Sequence, residues 1–362
     1  MIFKRTKTKQ IQTWAIEVDG PCYRTNEGIL NGVITSSKWT TATPKNVGKA
    51  NETTAEEQAV KEAMAKRDKK LATGYVINQS DIDDVPKHIQ PMLAHLYDPT
   101  TPLPFPVFTQ PKLDGIRCVA KNDGLFTRNG KLITSCPHIL AEARVALNSL
   151  PESEFLDGEL YNHAFRDNFS SLVSLIKKSK ATPESEKYVQ FHIYDLVHNP
   201  EVTRPSFLVR NVTIGAPFST MCFSYLKQVQ TDVAESQATL DSLYEQYLEM
   251  GYEGQIIRLN KPYERCRSKS LLKRKEFIDE ECAIIDILEG KGNRLGMAGK
   301  MVLKHPNGNE FRASITGGEA FYTELLEHKE QYIGKMATCR YQNLSEYGIP
   351  RFGRVLSVRD YE

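Results

Sequence analysis

The sequence predicts a multidomain α+β protein, in which a small α+β domain and a larger domain with a mixed sheet precede a small β-barrel. Its 362 residues are many for one domain and suit two or three. Strand-like and helix-like stretches alternate as far as Lys275, whereas short strands between Gly-containing turns dominate after it. We therefore place the domains at residues 1–80, 81–277 and 278–362.

Composition limits the class of protein. Hydrophobic residues make up 40% and charged residues 25% of the chain, which is the balance of an ordinary globular protein. No run approaches the ~20 apolar residues that cross a bilayer, and the basic first residues lack the apolar stretch of a secretory signal. The seven cysteines are scattered without a CxxC pair. We therefore expect a cytoplasmic protein with no membrane association, zinc site or disulfide framework.

The first eighty residues have the pattern of strands followed by one helix. Residues 12–24 alternate in polarity like a strand, with a turn at Asp19-Gly20, and residues 32–35 form a second strand-like run. From Thr54 to Leu71, alanines recur at helical spacing among Glu and Lys, and Thr53 or Thr54 can cap this helix. The segment is therefore predicted to be a small α+β domain.

The same segment carries the surplus of positive charge. It holds 13 Lys and Arg against 8 Asp and Glu, although the whole chain has a net charge of only +2. Such an excess is compatible with binding the phosphate backbone of DNA, and about as well with a solvated basic surface. Lys38 and Trp39, with Lys45 and Lys49 nearby, form the predicted DNA-binding patch, although Trp39 could instead belong to the core.

The central region has the pattern of a mixed sheet with helices packed on it. Residues 77–106 form a polar, proline-containing connector that leads into it. Helices are predicted at residues 139–147 and 240–250. Strands are predicted at four short apolar runs, which are Cys118–Ala120, Phe155–Leu156, Val189–Leu196 and Gln255–Leu259.

The last region favours a small barrel of the OB type. Residues 291–300 and 305–310 are the strongest turn signals in the chain, and one helix is predicted near residues 320–330. The predicted strands are Ala283–Leu288, Lys300–Lys304, Glu310–Ile315 and Lys335–Gln342.

One short segment, Lys112-Leu113-Asp114-Gly115-Ile116-Arg117, can carry covalent chemistry. A lysine amine is a poor nucleophile because its usual pKa is about 10.4, and neighbouring cations or a metal ion on the phosphate would favour its neutral form. Asp114 and Gly115 predict a tight turn that lets the backbone approach a ligand, and Arg117 can reach a sugar or phosphate. Taken alone, Lys112 could also be an ordinary surface lysine.

Six segments resemble, in order, the motifs of the covalent nucleotidyltransferase superfamily of DNA ligases and messenger-RNA capping enzymes. They are Lys112–Arg117, Thr127–Gly130, Phe155–Leu160, Phe191–Asp195, Glu253–Arg258 and Leu271–Lys275. Pro91–Ala94, before the first motif, and the tail Gly348–Gly353 are similar to segments of compact viral and bacterial DNA ligases. The sequence is therefore identified as a member of the ATP-dependent DNA ligases.

The resemblance implies that the central domain is an adenylation domain. Lys112 would attack the α-phosphate of ATP to form a lysyl-AMP, and AMP would then pass to the 5′-phosphate of a nick before the strands are joined. Glu159 and Glu253 would hold Mg²⁺, or Mn²⁺ in its place, or order its waters. Lys273 and Lys275, two residues apart on one strand, would hold the α-phosphate.

Further roles follow for residues around the nucleotide. Arg117 would contact the ribose, Tyr194 would stack on adenine, and Arg128 would clamp the 5′-phosphate at the nick. Asp157 and Asp195 could take part directly or could simply terminate strands. One arginine of the tail would orient pyrophosphate, and the candidates are Arg351, Arg354 and Arg359.

The stretch from Arg258 to Lys275 holds eight basic residues and one acidic residue. Such a run is usually a solvated surface, but this one continues into the phosphate-binding strand, which favours a path for the DNA backbone. Arg258, Arg265 and Arg267 are its predicted contacts. Contacts of this kind predict binding that is independent of sequence and sensitive to salt.

The first eighty residues resemble a WGR domain in pattern, although Leu30-Asn31-Gly32 stands where the naming Trp-Gly-Arg would be. An unrelated α+β module is the alternative. The resemblance as a whole implies a monomer that binds ATP and nicked double-stranded DNA in the cytoplasm of a bacterial cell or a phage-infected host. An RNA ligase and a GTP-dependent capping guanylyltransferase are alternatives within the superfamily, and a non-catalytic DNA-binding scaffold is a remote one.

Overall fold

The computed structural model describes residues 1–6, 8–83, 90–150, 153–199 and 202–359. These residues form two compact units, of which one joins Met1–His88 with Phe277–Glu362 and the other is Ile89–Glu276. The boundaries at residues 80 and 277 stay a prediction. In the described ranges, no helix combines the length and the apolar character that crossing a membrane requires.

The N-terminal part is a small sheet with one long helix. Its strands are β1 (Ile2–Arg5), β2 (Ile11–Asp19), β3 (Cys22–Ile29), β4 (Ile34–Ser36) and β5 (Thr40–Thr41), in the order β1-β2-β3-β4 with β5 also paired to β3. Helix α1 (Ala55–Leu71) begins with a capping box formed by Thr54 and Glu57. The predicted hairpin and helix are confirmed, whereas β1 lies outside the prediction.

The central unit contains two sheets. Its strands are β6 (Leu93–Leu96), β7 (Val107–Lys112), β8 (Ile116–Lys121), β9 (Gly124–Thr127), β10 (Leu132–Ile133), β11 (Ser153–Tyr161), β12 (Gln190–His198), β13 (Leu226–Gln228), β14 (Asp232–Ala234), β15 (Gly254–Arg258) and β16 (Arg267–Lys275). One sheet has the order β10-β9-β8-β11-β12-β13, and the other has the order β14-β7-β15-β16-β6. The predicted mixed sheet is therefore confirmed as two sheets.

In the part of this unit that the structure describes, five α-helices accompany these sheets, and the sequence predicted two of them. The helices are α2 (Pro137–Asn148), α3 (Phe169–Ile176), α4 (Pro183–Tyr188), α5 (Phe207–Thr220) and α6 (Gln237–Glu249). The predictions for α2 and α6 are confirmed. Helix α5 was missed because β-branched residues, Gly215 and Pro217 disfavour a helix by local propensity. Tertiary packing compensates, since Phe207, Arg210 and Ile214 recur at helical spacing and are buried.

The C-terminal part is a closed five-stranded barrel. Its strands are β17 (Ile278–Glu289), β18 (Ala298–Lys304), β19 (Glu310–Ile315), β20 (Met336–Tyr341) and β21 (Arg354–Val358), in the order β17-β18-β19-β21-β20. Helices α7 (Glu319–Glu327) and α8 (Lys329–Tyr332) follow β19. The predicted barrel is confirmed, and β21, which the sequence pattern did not predict, completes it.

Candidate active site

Three lysines meet because of the register of three neighbouring strands. Gly254, at the start of β15, pairs with Lys112 of β7 on one side and with Lys275 of β16 on the other. Lys273 precedes Lys275 by two residues on β16, so that both side chains lie on the same face, as predicted. Glu253 directly precedes β15, and its N–H donates to the carbonyl of Lys112 at 3.1 Å.

Two of these lysines contact the Glu253 carboxylate. Lys112 Nζ contacts Glu253 Oε2, and Lys275 Nζ lies 3.6 Å from Oε1. Burial lowers the pKa of both Lys273 and Lys275, and the charge of Lys112 lowers it further. An entering phosphate would relieve the repulsion among these ammonium groups, so the arrangement suits a polyphosphate.

Arg117 and Asp157 form a bidentate ion pair in the other sheet. Arg117 Nε donates to Asp157 Oδ1 at 2.9 Å, and Nη2 donates to Oδ2 at 2.5 Å. Asp157 is 0% exposed and lies inside β11, so the reading that it terminates a strand is wrong. Its physical role is to satisfy a guanidinium that borders the cavity described below.

The prediction that Arg258 contacts DNA is wrong, because its side chain is buried. Arg258 is 3% exposed, and its Nη1 donates to Asp195 Oδ2 at 2.6 Å. Arg210, which sequence analysis missed, donates Nε to the other oxygen of Asp195 at 2.7 Å. Burial alone would raise the pKa of Asp195, but Arg210 and Arg258 hold it below its usual value. Asp195 is thus an internal ion-pair centre and does not terminate β12.

Gly115 and Gly158, two glycines of the motifs, lie where a neighbouring strand comes too close for a side chain. A Cβ atom on Gly115 would lie 2.4 Å from the carbonyl oxygen of Leu160, and one on Gly158 would lie 2.4 Å from that of His192. Gly115 therefore permits β11 to approach, whereas the sequence predicted that it lets the backbone approach a ligand. Gly158 has the same function between β11 and β12.

A cavity of about 270 Å³ brings residues of both sheets together. The predicted site residues that line it are Lys112, Arg117, Arg128, Glu159, Tyr194, Arg258, Arg267 and Lys273. Two guanidinium groups lie near the Tyr194 ring, that of Arg117 at 5.6 Å and that of Arg258 at 5.4 Å from the ring centroid. The cavity therefore offers an aromatic ring and cationic groups from the two sheets, a combination that suits a nucleotide.

Glu159 is the carboxylate that borders this cavity. It pairs with Arg117 across β8 and β11, and the Tyr194 hydroxyl donates to its Oε2 at 3.5 Å. Burial raises the pKa of Glu159 to about 8, although Lys112 and Arg117 oppose the rise. A cation bound beside this carboxyl group would favour its ionised form.

The other residues predicted to contact DNA differ in exposure and in hydrogen-bond or ion-pair partners. Arg267 is exposed and donates to the carbonyl of Ala94, whereas Arg265 forms an ion pair with Glu154. In the N-terminal part, Lys38 Nζ donates to the carbonyl of Leu295 at 3.2 Å. Trp39 is 36% exposed, with the Arg24 guanidinium 4.6 Å from its ring centre, so it is not a core residue.

Comparison with known proteins agrees with this geometry. The family model described as "ATP dependent DNA ligase domain" matches residues 91–275, and that of the "DNA ligase OB-like domain" matches residues 289–359. Neither match reaches the first ninety residues, so the likeness to a WGR domain stays a prediction.

Similar proteins include ligases from a virus and a bacterium. A DNA ligase of African swine fever virus is 27% identical over 358 residues, which cover 92% of this chain and 82% of the viral one. That of Haemophilus influenzae is 26% identical over 262 residues, which cover 72% of this chain and 89% of the bacterial one.

A solved structure is also similar in fold. It is described as "DNA binding with a minimal scaffold: Structure-function analysis of Lig E DNA ligases", has 26% sequence identity and superposes with a TM-score of 0.63. The similarity covers 74% of this chain and 98% of that one. Because the first family model spans at least half of the sequence, this chain belongs to the ATP-dependent DNA ligases, the enzymes that use ATP to seal nicks in duplex DNA.

Proposed function

We propose that Lys112 is the residue on which the enzyme forms its lysyl-AMP. The observation that carries this assignment is the position of Lys112, which lines the cavity and whose Nζ contacts Glu253. In the reaction, Nζ forms a bond to the α-phosphorus, and the bond from that phosphorus to the bridging oxygen breaks, so that pyrophosphate leaves with the electron pair. Glu253 is placed to accept the proton that the ammonium must lose.

Lys273 and Lys275 would stabilise the charge that develops during this transfer. Phosphoryl transfer depends mainly on positioning and on neutralising negative charge. Both lysines lie on one face of β16 next to Lys112, and their partial burial strengthens their interaction with a phosphate.

The nucleoside would occupy the part of the cavity that Tyr194 borders. Adenine would stack on the Tyr194 ring, and Arg117 would contact the ribose. Arg258 would act indirectly, because its guanidinium lies against the same ring while Asp195 and Gln110 engage its N–H groups. This role replaces the predicted contact of Arg258 with DNA.

The carboxylates of the site fit a magnesium ion. Among the described residues, no group of three or more His, Cys, Asp or Glu side chains forms a metal site. Mg²⁺, however, is commonly held by one or two carboxylates together with substrate phosphates. Glu159 and Glu253 would hold it here, and the raised pKa of Glu159 fits a carboxylate that binds a cation in the working enzyme. When bound, the ion would neutralise charge on the phosphates.

Nicked DNA would bind through its phosphates. Arg128 and Arg267 border the cavity, so they would reach the 5′-phosphate of the nick, and Arg265 would contact the backbone farther away. In the tail, Arg359 pairs with Glu281 at 3.0 Å, and Arg351, Arg354 and Arg359 stay the candidates for orienting pyrophosphate.

The N-terminal patch of Lys38 and Trp39 would add an independent contact to DNA. The overall excess of positive charge in residues 1–80 supports this idea. If a chain that lacks residues 1–76 bound nicked DNA as tightly as the full chain at several salt concentrations, the patch would have no such function. We also propose that the protein is cytoplasmic, which the seven free thiols of the cysteines favour, and monomeric, which the resemblance to compact ligases implies.

Labelling with α-³²P nucleotides tests the central assignment. The wild type is expected to take up label from ATP and not from GTP, to lose it as AMP when nicked DNA is added, and to join the strands. Lys112→Ala should take up none. Label from GTP alone would indicate a capping guanylyltransferase, and uptake of label by folded Lys112→Ala would show that another residue is the nucleophile. Substrates with a ribonucleotide at the nick test whether RNA is joined instead.

A further inference from the structure

Tyr263 has no part in the chemistry described above, yet its hydroxyl joins separate parts of the site. It lies between β15 and β16, four residues before Arg267. Its O–H donates to Asp157 Oδ2 at 2.6 Å, and its oxygen accepts from the N–H of Met92 at 2.8 Å. The ring packs edge-on against Phe155, with centroids 6.2 Å apart.

Asp157 depends on this hydroxyl for its orientation. Within the described residues it accepts three hydrogen bonds, of which two come from Arg117 and the third from Tyr263. A bidentate pair is planar, so a rotation of the carboxylate also tilts the guanidinium. Tyr263 opposes that rotation, because its O–H bonds the same oxygen that accepts from Arg117 Nη2. Burial raises the pKa of Tyr263, so the hydroxyl remains a donor at neutral pH.

We propose that Tyr263 is a positioning residue, whose hydroxyl orients Asp157 and, through it, the Arg117 guanidinium that borders the nucleotide cavity. The same hydroxyl ties the basic segment before β16 to the backbone at Met92, one residue before β6. The proposal deepens the proposed function and rests on the assignment of Arg117 to the nucleotide.

The test is Tyr263→Phe, which removes the hydroxyl and keeps the ring. Tyr247→Phe is a matched control, because the Tyr247 hydroxyl also donates to a carboxylate, Asp232 Oδ2 at 2.7 Å, and Tyr247 does not line the cavity. Tyr263→Phe should raise the KM for ATP in lysyl-AMP formation about tenfold, as expected for a lost hydrogen bond to a charged group. The maximal rate should change less than about twofold. Tyr247→Phe should leave both constants unchanged while lowering Tm by a similar amount.

A double-mutant cycle with Arg117→Lys distinguishes positioning from a general structural effect. Lysine cannot form the planar fork, so Tyr263→Phe should have no further effect on the KM in that background. Fully multiplicative effects of the two substitutions, or an unchanged KM in Tyr263→Phe, would overturn the proposal.

Binding of α,β-methylene-ATP, measured by calorimetry, separates this proposal from the proposed function, because the analogue cannot react at the α-phosphate. Weaker binding to Tyr263→Phe by about tenfold supports the positioning role even if lysyl-AMP forms elsewhere. Equal binding to wild type and Tyr263→Phe refutes the positioning role even if Lys112 is labelled as expected.

Discussion

Replacing Asp195 by Asn should destabilise the central unit more than any ordinary surface change. The Asp195 side chain is 0% exposed and bridges Arg210 and Arg258, whose side chains are 2% and 4% exposed. Asparagine has nearly the same volume, so the substitution opens no cavity. It removes the carboxylate charge that pairs with both buried guanidinium groups. Breaking a buried ion pair by removing one partner typically costs about 3–5 kcal/mol.

A urea titration followed by circular dichroism measures this loss, and Asp241→Asn provides the comparison. Asp241 forms an ion pair with Arg274 at 2.5 Å, but the two side chains are 42% and 25% exposed. Water screens such a pair, so Asp241→Asn should cost no more than about 1 kcal/mol. A similar cost for the two substitutions would refute the argument that burial, and not proximity, determines the contribution of Asp195.

The pH dependence supplies a second check on the same residue. The folded-state pKa of Asp195 is below its value in the unfolded chain, so its contribution is complete above the unfolded pKa of about 3.9. The contribution is lost as the pH falls through the lower folded-state pKa. The difference in unfolding free energy between wild type and Asp195→Asn should therefore stay constant from pH 8 to 5 and shrink below about pH 4.

Three further predictions concern single residues. Lys112→Arg should form no lysyl-AMP, because a guanidinium remains protonated. It should still seal a nick that already carries 5′-AMP, and loss of this sealing would show that Lys112 has a further role. Lys275→Met should slow lysyl-AMP formation by about 10²–10³-fold in single-turnover labelling. The control Lys269→Met, at an exposed lysine, should change the rate less than about twofold, and equal effects of the two substitutions would exclude a specific phosphate contact by Lys275. Burial, with smaller effects of neighbouring cations, lowers the pKa of His192 from 6.5 to about 4. Between these values the unfolded chain binds a proton that the folded chain does not, so the free energy of unfolding decreases as the pH is lowered, by up to about 3 kcal/mol. In urea titrations at pH 7, 5.5 and 4, the free energy of unfolding of His192→Phe should decrease less with falling pH than that of the wild type. The same dependence on pH in both proteins would contradict the lowered pKa of His192.

The sequence was sufficient where a local pattern has one physical outcome. A cap at Thr53 or Thr54 could be predicted for the start of α1 because a cap needs only partners within one helical turn, and the structure shows that Thr54 is the cap. The alternation of Lys273 and Lys275 places them on one face of any strand, whatever its neighbours. The segment Lys112-Leu113-Asp114-Gly115 and the motifs after it could be recognised by their residue types and their order along the chain.

Local patterns were insufficient where burial or distant packing decides. Arg258 has the same charge as exposed Arg267, and only the approach of Asp195 and Gln110 shows that it is internal. Arg210 is the one charged residue in an apolar helix, a signal that could have suggested a buried ion pair, but its partner lies on another element. Tyr263 gave no signal, because an isolated tyrosine is compatible with many environments.

By itself the sequence determined which chemical groups the enzyme has and the order in which they occur, and from these the family could be inferred. The tertiary structure alone decided which groups meet. Lys112 and Glu253 are separated by 141 positions in the chain, and they come into contact because β7 and β15 pair in one particular register. That register is set by the packing of entire sheets, since a shift by one residue would turn every side chain of the strand to the opposite face.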